Sequence, residues 1–212
     1  MELLREHLDR EGIALREEAV QQLAHFATLL IEVGEHTNLI GTLDEERVMD
    51  ELIVDSLQAV PLLPTQGDLL DVGSGAGLPA VPLLIAHPAL HAVLVEPRKK
   101  RTAFLRLCRR EGLLPATAEI AELPLEAWAQ SAGRERRFDV VMSRAVYRPE
   151  AWQEVGRPWL APEGRLLLFV QGDIDEARRH VGPCWVIQAY RSWTPRNHRP
   201  RTVLSLGRED RG

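Results

Sequence analysis

Cysteine is scarce in this chain, and no long apolar run interrupts its 212 residues. The two cysteines, Cys108 and Cys184, lack the spacing of a metal or redox motif, so we expect no disulfide framework. No stretch approaches the roughly 20 apolar residues of a membrane-spanning helix, and the charged start MELLREHLDR does not resemble a secretory signal. We therefore expect a cytoplasmic protein that does not bind membranes.

Patterns of metal ligands are also missing. The seven histidines form no ligand set, and the HExxH motif is absent. His87 and His91 flank a predicted turn instead of sharing one helix face. We expect no metal site.

Charge is distributed unevenly along the chain, whose formal net charge is −5. Residues 1–60 contain four arginines and no lysine against fourteen acidic residues, whereas residues 191–212 contain six arginines against two acidic residues. A basic C-terminal part is compatible with nucleic-acid binding and equally with a solvated basic face. Charge alone leaves both interpretations open.

Hydrophobic periodicity divides the chain into a helical part and an α/β part. Residues 16–33 have apolar side chains at helical spacing, and a second helix is predicted from Asp44, its N-cap, through residue 60. Downstream, short apolar runs alternate with stretches long enough for crossover helices, which is typical of a parallel sheet buried on both faces. The predicted strands are 68–72, 91–96, 138–143, 165–170, 184–190 and 202–206, the last two forming an antiparallel return. We expect residues 1–64 to form a helical cap packed on the domain of residues 65–212, within one structural unit.

The most informative motif follows the first predicted strand. It contains an acid and three alternate glycines: Asp71, Gly73, Gly75 and Gly77. A glycine-rich turn before a helix lets the backbone approach a ligand closely. The dinucleotide fingerprint G-x-G-x-x-G would require glycine at position 78, where this chain has leucine. The observed spacing instead resembles the first motif of the class I methyltransferases.

Glu96 supports this interpretation. It ends the second predicted strand, where a carboxylate can accept hydrogen bonds from both ribose hydroxyls. We therefore predict a site for S-adenosyl-L-methionine in residues 65–212. The resemblance implies an α/β, Rossmann-like fold with a doubly wound, mostly parallel seven-stranded sheet and an N-terminal helical extension.

The region after the predicted strand 138–143 lacks the usual groups of methyl-acceptor chemistry. It has Ser143-Arg144-Ala145-Val146 where exocyclic-amine methylases often have Asn/Asp-Pro-Pro-aromatic, and neither cysteine lies there to attack a pyrimidine ring. Guanine N7 has a free lone pair at neutral pH, so its methylation needs alignment and exclusion of water but no general base. The sequence is compatible with that chemistry. Arg144 is the candidate catalytic residue, which would orient the cofactor carboxylate or the guanine; the alternative is a salt-bridged arginine at the sheet edge.

These residues resemble the small-subunit ribosomal RNA methyltransferase G family, also called glucose-inhibited division protein B. The similarity extends over roughly residues 15–206 and is carried by Asn38-Leu39, Asp55-Ser56-Leu57, residues 71–83, Lys100-Arg101 with Phe104-Leu105, and Ser143-Arg144-Ala145. It implies a cytoplasmic monomer that methylates a guanine N7 in small-subunit rRNA. It also implies that Gly73, Leu78, the Ile120-Ala121 backbone and Arg144 contact the cofactor.

Four sites depart from the family pattern, and each change removes a donor or a positive charge on the expected substrate side. They are Val33-Gly34 for an aromatic-Asn pair, Leu52 for His, Glu119 for an Arg after the third strand, and Gln171-Gly172 for Lys-Gly. Candidate RNA contacts remain in two basic groups: Arg98, Lys100 and Arg101, and Arg196 and Arg199. The first group is equally compatible with a solvated helix start.

Three functions follow from this pattern. An rRNA guanine-N7 methyltransferase, whose partner is the small-subunit RNA or ribosomal particle, is the leading hypothesis. A methyltransferase acting on a small molecule or protein is the second. A non-catalytic, cofactor-binding partner of RNA or the ribosome is the third, because Glu119 and Gln171 remove positive charge from the substrate side.

Overall fold

The computed structural model describes residues 1–133, 135–196 and 198–209 and shows helices around one seven-stranded sheet. The strands are β1 Gly67–Val72, β2 Leu90–Val95, β3 Glu119–Ala121, β4 Phe138–Ser143, β5 Leu160–Gln171, β6 Trp185–Trp193 and β7 Arg201–Arg208. Their order is β3-β2-β1-β4-β5-β7-β6, and β7 is antiparallel to both of its neighbours. The structure confirms the predicted doubly wound, mostly parallel sheet and its antiparallel return.

The helices lie on both faces of the sheet. They are α1 Glu2–Arg10, α2 Glu17–Gly34, α3 Glu45–Arg47, α4 Asp55–Leu57, α5 Ala80–Ala86, α6 Lys99–Arg110, α7 Leu125–Trp128, α8 Pro149–Gly156 and α9 Ile174–Arg178. As predicted, α5 and α6 connect β1 to β2 and β2 to β3. None of the described helices combines the length and apolar character needed to cross a membrane.

Burial on both faces explains the near-continuous apolar sequence of the inner strands. Successive side chains of β1 point in opposite directions: Leu69 joins the cluster that contains the N-terminal helices, and Leu70 joins the cluster on the other face. Phe26 and Leu30 of α2 belong to the same cluster as Leu69. The helices before β1 thus share a core with the sheet; a boundary at residue 64 stays a prediction.

The segment after Asp44 differs from the single α-helix predicted through residue 60. Between α3 and α4 the backbone is π-helical over Val48–Val54. A π-helical turn bonds residues five apart, which shifts the following side chains around the axis, and apolar periodicity does not reveal it. Asp55 comes directly after this segment and is buried.

Other boundaries also differ from prediction. β5 begins at Leu160 instead of 165, and Cys184 precedes β6 instead of opening it. Glu119, expected to follow the third strand, is the first residue of β3. With three residues, β3 is too short to give an apolar run in the sequence.

The N-cap of α3 provides a test of the local fold. The Asp44 side chain accepts a hydrogen bond from the Arg47 amide at 2.9 Å, as the N-cap prediction requires. We expect Asp44→Ala to lower the free energy of unfolding by about 1 kcal/mol, because this amide loses its acceptor. Asp44→Asn, which retains a capping oxygen, is the matched control in urea denaturation followed by circular dichroism. An equal loss in both variants would contradict the capping role.

Candidate active site

The candidate site lies at the carboxyl ends of the neighbouring strands β1 and β4. The chain continues from β1 to β2 on one side of this pair and from β4 to β5 on the other. Such a switch point leaves a crevice, where open α/β sheets bind their ligands. Two segments meet there: the glycine loop, residues 73–78, and the turn of residues 144–147. At the base of the crevice, Ser143 Oγ donates a hydrogen bond to the carbonyl oxygen of Val72 at 2.7 Å.

The glycine loop folds back onto β2. Gly73 N–H donates to the carbonyl oxygen of Val95 at 2.7 Å, and Gly77 N–H donates to that of Ser74 at 2.8 Å. Gly73 has a φ of +78°, and a Cβ there would collide with a methyl group of Val146. Glycine is therefore required both by the backbone conformation and by the close contact with the turn after β4.

Glu96 joins the glycine loop to α6 from a buried position one residue beyond β2. Its Oε2 accepts a hydrogen bond from Gly75 N–H, and its Oε1 accepts one from Arg98 N–H, both at 2.9 Å. Arg101 Nη1 lies 3.8 Å from Oε2. A carboxylate has about four lone-pair sites, so Glu96 retains capacity for two further donors such as ribose hydroxyls.

The remaining residues predicted to bind the cofactor surround this loop. Leu78 ends the loop and packs, partly buried, against the core. Ile120 and Ala121 belong to β3, and Ala121 accepts a hydrogen bond from Glu96 N–H at 3.0 Å. The fold thus brings the predicted cofactor residues together at the carboxyl ends of four adjacent parallel strands.

Asp71, near the end of β1, is a buried acid whose oxygens have no partner. Its side chain is 1% exposed, and none of the described residues donates a hydrogen bond to either carboxylate oxygen. Burial raises the pKa of Asp71 to about 7; the Ser74 hydroxyl, which donates to the Asp71 backbone carbonyl at 3.1 Å, and the charge of Arg144 oppose this change, while the negative charge of Glu96 adds to it. An unpartnered buried carboxyl group is costly unless a ligand supplies donors or positive charge. Asp71 is therefore a candidate to contact a cationic group of a ligand.

Arg144 is held in a cluster around the buried carboxylate of Asp55. Its Nη2 lies 2.7 Å from Asp55 Oδ2, and its Nη1 donates to Ser56 Oγ at 3.1 Å. Asp55 Oδ1 accepts hydrogen bonds from Arg201 Nη1 at 2.6 Å and from Trp193 Nε1 at 2.9 Å. Burial lowers the pKa of Arg144, while the charge of Asp55 opposes that change. Arg144 thus has the salt-bridged position considered as its alternative, and its orienting role stays a prediction.

A cavity of about 350 Å³, here called the acceptor cavity, opens beside this cluster. It is lined by Asp55, Arg144, Ala145, Phe169, Val170, Gln171, Trp193, Arg201 and Thr202. Aromatic faces combined with arginine donors are typical of sites that bind an unstacked nucleic-acid base. No group of His, Cys, Asp and Glu in the described part of the chain is arranged to hold a metal ion.

The predicted RNA contacts occupy two separate places. Arg98, Lys100 and Arg101 line a cavity of about 280 Å³ together with residues 37–39, so the start of α6 meets the N-terminal segment. Arg196 and Arg199 lie between β6 and β7. Arg196 Nη1 pairs with Glu46 at 2.7 Å. Arg199 is exposed, and a cavity that it lines also contains two residues of the acceptor cavity, Gln171 and Arg201.

Three departures from the family pattern have local counterparts in the structure. Glu119, in the edge strand β3, forms an ion pair with Arg136 at 2.6 Å, so its negative charge has a partner in the same chain. Gln171 lies directly opposite Arg201 in the register of β5 and β7, so a guanidinium group adjoins the position of the family's lysine. At Gly34 a Cβ would lie 2.6 Å from Leu43 Cδ2, so a larger residue there would require the exposed Leu43 side chain to move.

The structure adds three residues to the candidate site: Asp55, Arg201 and Trp193. Asp55 and Arg201 are 146 residues apart, and an ion pair across such a separation has no spacing that could reveal it. The one available signal was the Asp55-Ser56-Leu57 motif of the family resemblance. It indicated that the position matters without indicating which side chains it contacts.

The chain is similar in sequence to rRNA methyltransferases and in fold to other methyltransferases. The family model for rRNA small subunit methyltransferase G matches residues 19–202. Ribosomal RNA small subunit methyltransferase G of Anaeromyxobacter sp. (strain Fw109-5) is 38% identical over 167 residues, which cover 76% of this chain and 74% of that protein. The protein of the same name from Wolinella succinogenes is 33% identical over 181 residues, covering 83% and 90%. A ribosomal protein L11 methylase from Lactobacillus delbrueckii subsp. bulgaricus is similar in fold alone, with a TM-score of 0.55 at 11% identity over 80% of this chain and 81% of that one.

The buried acid of β1 makes stability depend on pH. The pKa of Asp71 is about 7 in the folded protein and about 3.9 in the unfolded chain. The folded protein therefore loses stability as the pH rises between these two values. We expect Asp71→Asn to be more stable than the unsubstituted protein at pH 8 without ligand, and the difference to shrink towards pH 5. Urea denaturation at both pH values measures it.

The control for this experiment is Asp68→Asn, at an exposed position of the same strand. Its stability difference from the unsubstituted protein should not change with pH in this way. A pH-independent difference for Asp71→Asn would contradict the raised pKa.

Proposed function

Since the chain belongs to the rRNA small subunit methyltransferase G family, we propose that it is an S-adenosylmethionine-dependent methyltransferase of guanine N7 in small-subunit ribosomal RNA. The observation that carries this proposal is the unpartnered, buried Asp71 beside the glycine loop at the switch point of the sheet. A protein that folds around such a group leaves an opening for a ligand of opposite charge. The methionine part of the cofactor carries an ammonium group.

The residues present fit this cofactor. Asp71 would bind the ammonium group, because its two oxygens lack donors among the described residues. Glu96 would accept the ribose hydroxyls with its remaining lone pairs, and the backbone of residues 73–78 would contact the methionine part. Ile120 and Ala121, at the end of β3 beside Glu96, would contact the adenine ring. Arg144 would orient the cofactor carboxylate or the acceptor base.

When bound, S-adenosylmethionine supplies a methyl group attached to a positively charged sulfur. The protein then has to bring N7 of the base into line with this methyl group and to exclude water. No proton has to be removed from N7, so no general base is required. The acceptor cavity, next to the turn 144–147 and lined by Phe169 and Trp193, is suited to hold the base.

The proposed partner is small-subunit rRNA, free or in a ribosomal particle. Arg98, Lys100 and Arg101 on one side, and Arg196 and Arg199 on the other, are the proposed contacts to its phosphates. The ion pair of Arg196 with Glu46 is exposed and therefore weak, so phosphate can replace it. The proposal includes a monomer that acts in the cytoplasm.

The decisive experiment is incubation of the protein with tritiated S-adenosylmethionine and small-subunit particles from a strain that lacks the family's methyltransferase. We expect up to one methyl group per particle, mapped to a single guanine by borohydride reduction and aniline cleavage, which cut at 7-methylguanosine. Particles from a strain that has the enzyme are the control and should accept no methyl group. Tight, salt-sensitive RNA binding without transfer would favour a non-catalytic partner, and transfer only to protein or small molecules would favour another substrate.

Asp71 gives a separate test of the cofactor site. Because an ammonium group favours the ionised carboxylate, cofactor binding should release a proton near pH 7, and affinity should fall as pH drops below 7. We expect Asp71→Asn to lose about tenfold in affinity at pH 8 and to lose the proton release. Calorimetry in two buffers of different ionisation heat measures both quantities.

Asp68→Asn is again the matched control and should bind the cofactor like the unsubstituted protein. Equal affinity and equal proton release in Asp71→Asn would remove Asp71 from the proposed site.

A further inference from the structure

The acceptor cavity contains an arginine that none of the predicted roles includes. Arg201 opens β7, and its Nη1 donates to the buried carboxylate of Asp55 at 2.6 Å. Asp55 also binds Arg144 and the indole N–H of Trp193, and all four side chains line the cavity. One carboxylate therefore fixes two guanidinium groups and an aromatic ring in a single wall.

Arg201 has N–H donors that its contact with Asp55 does not use. The Asp55 contact occupies Nη1, while an arginine has five N–H donors in all. The side chain is 20% exposed, on the side of the cavity. Its cross-strand neighbour Gln171 is uncharged, and among the described residues that line this wall Asp55 is the single acid. The two arginines give the wall a net positive charge, which favours a ligand with hydrogen-bond acceptors.

We infer that Arg201 is a specificity-determining residue that donates a hydrogen bond to O6 of the acceptor guanine and is positioned by Asp55. The inference rests on the proposed function, because it takes a guanine in the acceptor cavity as the substrate. It adds the group that distinguishes guanine from adenine. Adenine presents an amino donor at the same ring position, which would face the donors of Arg201 without an acceptor between them.

The anchoring by Asp55 agrees with the chemistry at N7. Arginine commonly binds guanine through O6 and N7 together. In an N7 methyltransferase, such a bidentate contact would occupy the N7 lone pair that must attack the methyl group. Because Asp55 engages one arm of the Arg201 guanidinium, a single donation to O6 leaves that lone pair free. The Asp55 anchor is thus compatible with recognition of O6 while N7 is the reacting atom.

The test compares acceptor bases that keep N7 and differ at O6. Small-subunit particles are reconstituted with rRNA in which the guanosine mapped above is replaced by inosine, which keeps O6, or by 2-aminopurine riboside, which lacks it. We expect the unsubstituted enzyme to prefer guanosine and inosine over 2-aminopurine by about tenfold or more in kcat/KM. Arg201→Gln, which is shorter and uncharged, and Arg201→Met, which has no N–H donor, should lose this preference.

The comparison of bases in the unsubstituted enzyme tests recognition even if both Arg201 variants fail to fold. Arg199→Gln is the matched control: it removes a nearby positive charge outside the acceptor cavity. It should lower the activity on all three bases equally and leave the preference intact. A merely structural role of Arg201 would not change the ratio between bases.

The outcomes separate the inference from the proposed function. An unsubstituted enzyme that methylates neither guanosine nor inosine particles contradicts the proposed function. An enzyme that methylates guanosine but accepts 2-aminopurine equally well, or an Arg201→Met variant that keeps the preference, overturns the inference alone.

Discussion

A carboxylate removed from water needs positive charge or hydrogen-bond donors, and this requirement organises both sides of the crevice. Asp55 meets it within the chain, through Arg144, Arg201 and Trp193. Asp71 is left without donors by the described residues. The first carboxylate completes the wall of the acceptor cavity before any ligand binds. Under the proposed function, the second leaves the cofactor side incomplete, and a bound cation would recover the cost of burying it.

The acidic N-terminal segment belongs to the same electrostatic scheme. Its acids face the basic connection between β6 and β7: Glu46 pairs with Arg196 at 2.7 Å, and Glu51 pairs with His198 at 2.9 Å. Part of the uneven charge along the sequence is therefore paired within the fold.

Much of the fold could be predicted because each prediction depended on a local pattern. Strands buried on both faces give continuous apolar runs, and the glycine loop gives a fixed spacing, so β1, β4 and residues 73–77 were found. The parts that were missed depend on distant contacts or on irregular backbone. The π-helical Val48–Val54 follows no apolar period, and the Asp55 cluster joins α4 to β7 across 146 residues.

The departures from the family pattern have a different meaning once the register of the sheet is known. In the sequence, Gln171 replaces the family's lysine on the expected substrate side, which removes a positive charge. In the structure, it lies opposite Arg201, whose guanidinium provides positive charge at the same edge of the acceptor cavity. A lysine at 171 would add a third cation to a wall that contains one acid. Glutamine lowers that repulsion and keeps a hydrogen-bonding group, so the substitution is compatible with an active site that still binds an electron-rich base.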